Sequence, residues 1–173
     1  MGRAPCRSVR TAEAGEVLLY QYGVGLGFLA TVRPDGGPRV HPICPLIHDG
    51  GLFAFLVPSP KRTDLLRDGR FSLHSFPVEE NEDAFYMTGT AEPVDDERVR
   101  EALVARFLEE RPGLSQAAAD LGDQLLFEFR VSTCLLTRTD GHGEPSPAHT
   151  VWVAASEGSG RAHHPSPSPG PTP

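Results

Sequence analysis

Between Gly27 and Phe76 the chain runs through four short β-prone segments, Gly27–Val32, Arg39–Ile43, Leu52–Val57 and Phe71–Phe76. Turn residues separate the first three: Pro34-Asp35-Gly36 presets a reversal, and His48-Asp49-Gly50-Gly51 supplies another. Strands this short and closely spaced, without strict alternation with helices, argue against a doubly wound sheet. They favour a closed or nearly closed barrel. Gly27–Val32 is almost wholly apolar, as is Leu52–Val57. Phe28, Leu29, Ala30 and Val32, with Phe53, Phe55 and Leu56, therefore need cover on both faces. A lone small barrel covers one; helices or a second copy must cover the other, and a homodimer is expected.

The returning segment places Arg39, His41 and Ile43 on one face and Val40, Pro42 and Cys44 on the other. Pro42 has no N–H to donate, so this strand is expected at an edge or bulged. Ser59-Pro60 then opens a helix, with Ser59 at the N-cap, Pro60 at the first helical position and Gly69 at the end. A helix start presents unpaired N–H groups and a positive dipole end. Ser59 offers a hydroxyl, and Lys61 and Arg62 offer charge; Lys61 is the chain's only lysine against 15 arginines. Arg39 could close this cradle with a bidentate grip. The plainer alternative is that Ser59 only caps, the cations face water, and Asp64 pairs with Arg39 or Arg67.

Further along, Ala84–Val94 reads as a strand in which Gly89 permits a bend or a close approach. Asp95–Glu110 is the clearest helix, with Val99, Leu103, Phe107, Val104 and Leu108 apolar, stopped by Pro112-Gly113. Leu114–Leu121 reads as a short helix. Leu125–Val131, with Leu125, Phe127, Phe129 and Val131 inward, pairs with Thr133–Arg138, and Thr150–Val153 closes the fold. Near the start, Thr11–Tyr20 has helical character with Val17, Leu18 and Ala14 on one face, and Gly23–Gly27 reads as a flexible lead-in. A dinucleotide loop is not expected there, because a strand and not a helix follows it. His74 reads as partly buried.

The 173 residues suit one domain over 11–155, with a loose leader over 1–10 and a disordered Gly/Ser/Pro/His tail over 156–173. The formal charge of −7 argues against a general nucleic-acid partner. No apolar run approaches membrane-spanning length, and no basic start leads into one; a cytoplasmic protein is expected. Cys6, Cys44 and Cys134 are scattered, and no histidine pair has ligand spacing, so neither a disulfide framework nor a protein-bound metal is expected.

Phe28-Leu29-Ala30-Thr31-Val32, Asp35-Gly36, Pro38-Arg39-Val40-His41-Pro42-Ile43, Gly51-Leu52 through Lys61, Leu65 and Arg70-Phe71-Ser72-Leu73, in that order and spacing, resemble the pyridoxamine 5'-phosphate oxidase-like family. The resemblance covers about residues 25–153. It implies a mainly β fold, the FMN-binding split barrel of six to eight antiparallel strands, and a homodimer with cofactors at the subunit interface. It implies an oxidoreductase using FMN on a small molecule, with the deazaflavin F420 or haem as alternatives. Cofactor contacts carry over to Arg39, Val40, His41 and Pro42, and to Val57, Ser59 and Lys61, with Arg39, Ser59 and Lys61 at the phosphate and His41 and Val57 lining the cofactor. No catalytic acid or base is nominated. The Arg-Leu substrate signature of the true oxidases is missing after Val153, and Ala84 stands where a glutamine is common, which argues against vitamin B6 as substrate. The alternative function is a non-enzymatic haem or flavin store or sensor, with His41 or His149 as the axial ligand of a haem.

Overall fold

A computed structural model of the chain describes residues 13–114 and 120–154. Eight strands form one antiparallel sheet: β1 (Gly27–Val32), β2 (Pro38–Ile43), β3 (Leu46–His48), β4 (Gly51–Leu56), β5 (Arg70–Ser75), β6 (Ala84–Pro93), β7 (Leu125–Arg138) and β8 (Ala148–Val153). Helix α1 covers 13–19, α2 is Pro60–Arg67 and α3 is Glu97–Glu110. The expected leader, the tail and the core of the expected helix Leu114–Leu121 lie outside the described residues.

Strand order is β2-β1-β5-β6-β7-β4-β3, with β8 also on β7. β2 and β3 stand at opposite ends of that order, yet only Cys44 and Pro45 separate them in sequence. Three residue steps span at most about 11 Å, so the sheet must curl until its two edges meet there. This makes it a half-barrel. Pro42 sits on the edge strand β2, where a missing donor costs no ladder bond.

The strand β3 was not legible in the sequence. Leu46-Ile47-His48 pairs with β4 around Asp49 (φ 49°) and Gly50 (φ 77°), the double positive-φ geometry of a tight hairpin. The expected pair Leu125–Val131 and Thr133–Arg138 is one long strand whose first half pairs with β4 and whose second half pairs with β8. The break in regularity is a bulge in β7: Thr88 pairs with Thr133 and Gly89 with Val131, which leaves Ser132 as the extra residue opposite the Thr88/Gly89 step of β6. A Cβ on Gly89 would lie 1.9 Å from the Arg130 carbonyl oxygen, so only glycine fits this bulge.

The inner faces of the strands close over one core that includes Leu29, Leu73, Met87, Phe127 and Phe129. Leu18 and Leu19 of α1 enter it, whereas Val17 points to solvent. Gly23–Gly27 is a tied turn, with the Leu26 N–H donating to the Leu19 carbonyl (2.9 Å). A second cluster lies outside the barrel: Leu46, Leu103 and Leu126, with Phe53, Phe55, Val99 and Phe107. The outward phenylalanines of β4 are thus partly covered by α3. Leu126, not Leu125, is the buried residue at the start of β7, because it faces α3. Tyr20 joins three elements, donating to Glu110 of α3 (3.2 Å) and accepting from the Ile47 N–H of β3 (3.1 Å).

Helix α2 seals the barrel, placing Leu65 in the core and Asp64 beside it, both 2% exposed. Thr31 donates to Asp64 Oδ2 (3.0 Å), and Arg39 Nε meets the same oxygen at 2.7 Å. Arg67 adds a longer contact (3.8 Å) and donates to the Val32 carbonyl. Burial alone would raise the Asp64 carboxyl, but bonds from Arg39 and Thr31 and the charges of Arg39 and Arg67 hold it below the usual carboxylate range. Gly69 follows α2 without positive φ; its bare Cα lets the Ala91 carbonyl approach (2.7 Å to a built Cβ).

Arg39→Ala would leave a buried carboxylate with weaker partners, and the expected loss is about 2–3 kcal/mol by urea denaturation. That range lies below that of a wholly buried pair, because Thr31 and Arg67 remain. A depressed folded pKa stabilises above the unfolded value, near 4, and the stabilisation fades as pH falls through the folded value. The gap between wild type and Arg39→Ala should therefore narrow on acidification from pH 7 to about 4. A gap independent of pH would show that Asp64 is not the group concerned.

Candidate functional site

The residues singled out in the sequence gather where β2 runs beside α2. The Lys61 ammonium donates to the Pro42 carbonyl (3.3 Å), and Arg39 reaches Asp64 one helical turn further on. The strand alternates as its sequence implies. Arg39 and His41 are half-buried on the side of Ile43, and Val40 and Pro42 are exposed on the other.

The start of α2 differs from the expectation in an informative way. Ser59 occupies the N-cap position with extended backbone (φ −164°), but its side chain makes no capping bond. Its hydroxyl instead donates to the Val57 carbonyl (2.9 Å). Pro60 has no N–H, and the backbone N–H groups of Lys61 and Arg62 have no partner among the described residues. Two donors at the positive end of a helix are thereby left for an anion. Arg62 does not join them: its Nη1 donates to the Asp123 carbonyl (2.9 Å) and toward the Leu56 carbonyl (3.5 Å), holding the loop before β7.

Lys61 is half-buried, and burial lowers its pKa, an effect opposed by nearby Cys44. An anion that replaced lost hydration would restore its charge preference. Arg39 is committed through Nε, which leaves its Nη groups as the only part able to meet a ligand. Val57 (47% exposed), just before the helix start, and Val40 (59%), on β2, offer apolar surface. The donor set, two amides, one ammonium and a guanidinium edge, fits a phosphate monoester well.

The plainer alternative is also partly realised, since Arg39 and Arg67 both pair with Asp64. Arg39 serves the fold first. His41 has no side-chain hydrogen bond among the described residues, and His149 of β8 bonds Thr137 of β7 (3.1 Å). β2 and β8 are not hydrogen-bonded neighbours in the sheet. Among the described residues no three His, Cys, Asp or Glu side chains gather as metal ligands. The thiol of Cys134 is pushed up to about 11 by burial.

The outer face of the sheet was not foreseen as a unit. Registers align Pro42, Phe28, His74, Tyr86, Leu135 and Val151 in one row across six strands. A second row holds Val40, Ala30, Ser72, Thr88, Thr133 and Val153. Its hydroxyls pair with each other or with the first row: Ser72 with Tyr86 (3.2 Å) and Thr88 with Thr133 (2.5 Å). Phe28, Val40, Val151 and Val153 are exposed. His74 is exposed here, not partly buried, because odd and even positions of β5 face opposite sides. Parity counted outward from Val40 and Pro42 would have found this surface.

No helix among the described residues is long and apolar enough to cross a membrane. Comparison with solved structures finds the same curled barrel. The heme-binding protein from Mycobacterium smegmatis superposes with a TM-score of 0.59 at 20% identity, over 79% of this chain and 57% of that one. HutZ, the heme storage protein from Vibrio cholerae, gives 0.56 at 17% identity over 82% and 92%. A NimC/NimA family protein from Clostridium acetobutylicum gives 0.57 at 15% identity over 87% and 100%. No curated protein matches the chain. The family profile described as pyridoxamine 5'-phosphate oxidase matches residues 21–138, which is most of the folded part, and the chain belongs to that family.

Proposed function

We propose that the protein is a homodimeric, FMN-binding oxidoreductase of the cytoplasm acting on a small molecule other than vitamin B6. The observation that carries this reading is the uncapped start of α2, where the Lys61 and Arg62 amides have no capping side chain and the Lys61 ammonium stands beside them. In the family such a cradle belongs to the flavin phosphate. Bound FMN supplies the two-electron redox chemistry; the protein binds and orients it. Lys61 and the α2 amides hold the phosphate, the Arg39 Nη groups support it, and Val57 and Val40 shield the adjoining part of the cofactor. His41, Pro42 and Ser59 complete the proposed contacts.

The homodimer is supported by the outer face, which leaves Phe28, Val40, Val151 and Val153 exposed. Apolar side chains gathered on one sheet face favour burial against a second copy. Haem-binding proteins share this fold, so a haem reading is the competitor.

The absorption spectrum of the purified protein, after addition of FMN, decides between them. Flavin bands with quenched fluorescence are expected; a Soret band would transfer the protein to the haem class, and a protein binding neither would refute the proposal. Lys61→Ala should weaken FMN binding about 10- to 100-fold, the worth of a charge-assisted hydrogen bond, and leave riboflavin binding nearly unchanged. Equal losses for both ligands would remove Lys61 from the phosphate. Oxidation of NADH or NADPH by the loaded protein separates an enzyme from a carrier. Val153→Asp should shift the protein from dimer to monomer in sedimentation, and an unaltered dimer would place the interface elsewhere.

A further inference from the structure

We propose that His74 is a contact residue for the cofactor ring, presenting a free imidazole Nε2 to its polar edge; this rests on the flavin reading above. His74 lies in the same outward row as Pro42 of the cofactor strand, with Phe28 between them. Two strand spacings separate them, about 10 Å. A planar heterocycle starting at Val40 and Pro42 and following the row would lie over Phe28 and arrive at His74.

The imidazole is oriented for such a contact. His74 Nδ1 lies 2.6 Å from the Ser75 carbonyl oxygen. A carbonyl only accepts, so Nδ1 carries the hydrogen, and in the neutral ring Nε2 is left as an acceptor. Ser75 is fully buried and its hydroxyl accepts from the Phe85 N–H (3.0 Å), so the carbonyl that orients the ring belongs to rigid backbone. Tyr86 stands on the other side, with ring centroids 6.5 Å apart. The Tyr86 hydroxyl is paired with Ser72, and Phe28 packs edge-on against Phe76 (4.4 Å). Among the described residues of the two outward rows, His74 and Tyr86 are the only titratable side chains. His74 alone has an unengaged nitrogen.

An aromatic floor with one fixed acceptor matches the chemistry of a flavin ring, which has apolar faces and hydrogen-bonding groups along its edge.

The test compares FMN with riboflavin, which has the ring and lacks the phosphate. His74→Phe should weaken both ligands alike, by about three- to tenfold for one lost hydrogen bond, in contrast to the FMN-selective loss in Lys61→Ala. In the wild type, riboflavin should move the His74 ring resonances in NMR. His74→Gln, which keeps a polar end but cannot titrate, should recover part of the affinity; it also serves if His74→Phe folds poorly. If FMN binds while His74 variants bind normally and the resonances stay in place, this proposal fails and the cradle stands. If neither FMN nor riboflavin binds the wild type, both readings fail together.

Discussion

The carboxylate of Asp64 is the point on which the functional end of the barrel depends. It is buried, and an isolated buried charge is costly, so its neighbours must arrive with donors in place. Thr31 brings one from β1 and Arg39 brings another from β2, while Arg67 supports it from within α2. These contacts fix how α2 lies across the edge of the barrel. The orientation of α2 in turn points its uncapped start and Lys61 at the carbonyl of Pro42. One ion pair therefore sets the geometry of a site to which it lends only the outer guanidinium edge of Arg39.

That arrangement gives Arg39 two kinds of work. Its Nε is engaged with Asp64, and only the outer guanidinium edge is left for a ligand. A loss of cofactor on replacing Arg39 would mix loss of a contact with loss of helix placement. Lys61 is the cleaner reporter, because its one bond is to a carbonyl of the edge strand and it takes no part in the Asp64 ion pair. The same logic separates Arg62, which looks equivalent in sequence, from the cradle: its guanidinium braces the loop at Asp123.

The sheet distributes its surfaces unequally. Over β4 the outward phenylalanines are partly covered by α3, whereas over β2, β1, β5, β6, β7 and β8 the outward rows remain open. Apolar patterning in the sequence showed that both faces of some strands needed cover. It carried no information on which cover each would receive, since that depends on where α3 returns. The open region is continuous with the cofactor strand, which is why dimerisation and cofactor binding are proposed for the same face.

Local chemistry was largely readable from the chain. The turn residues, the Pro60 start of α2, the edge position implied by Pro42, the need for glycine at Gly89 and the alternation of Arg39 with Val40 all follow from short-range sterics and period-two geometry. The family resemblance was legible for the same reason, as it rests on the order of these signals. Only the tertiary structure decided the matters that depend on distant partners. These are the pairing of β3 with β4, the continuity of β7, the capture of Arg39 by Asp64 and the turn of the Ser59 hydroxyl toward Val57. The alignment of His74 with Pro42 belongs with them. Each joins residues whose separation in sequence says nothing of their separation in space, because strand order and register are set by how the sheet closes.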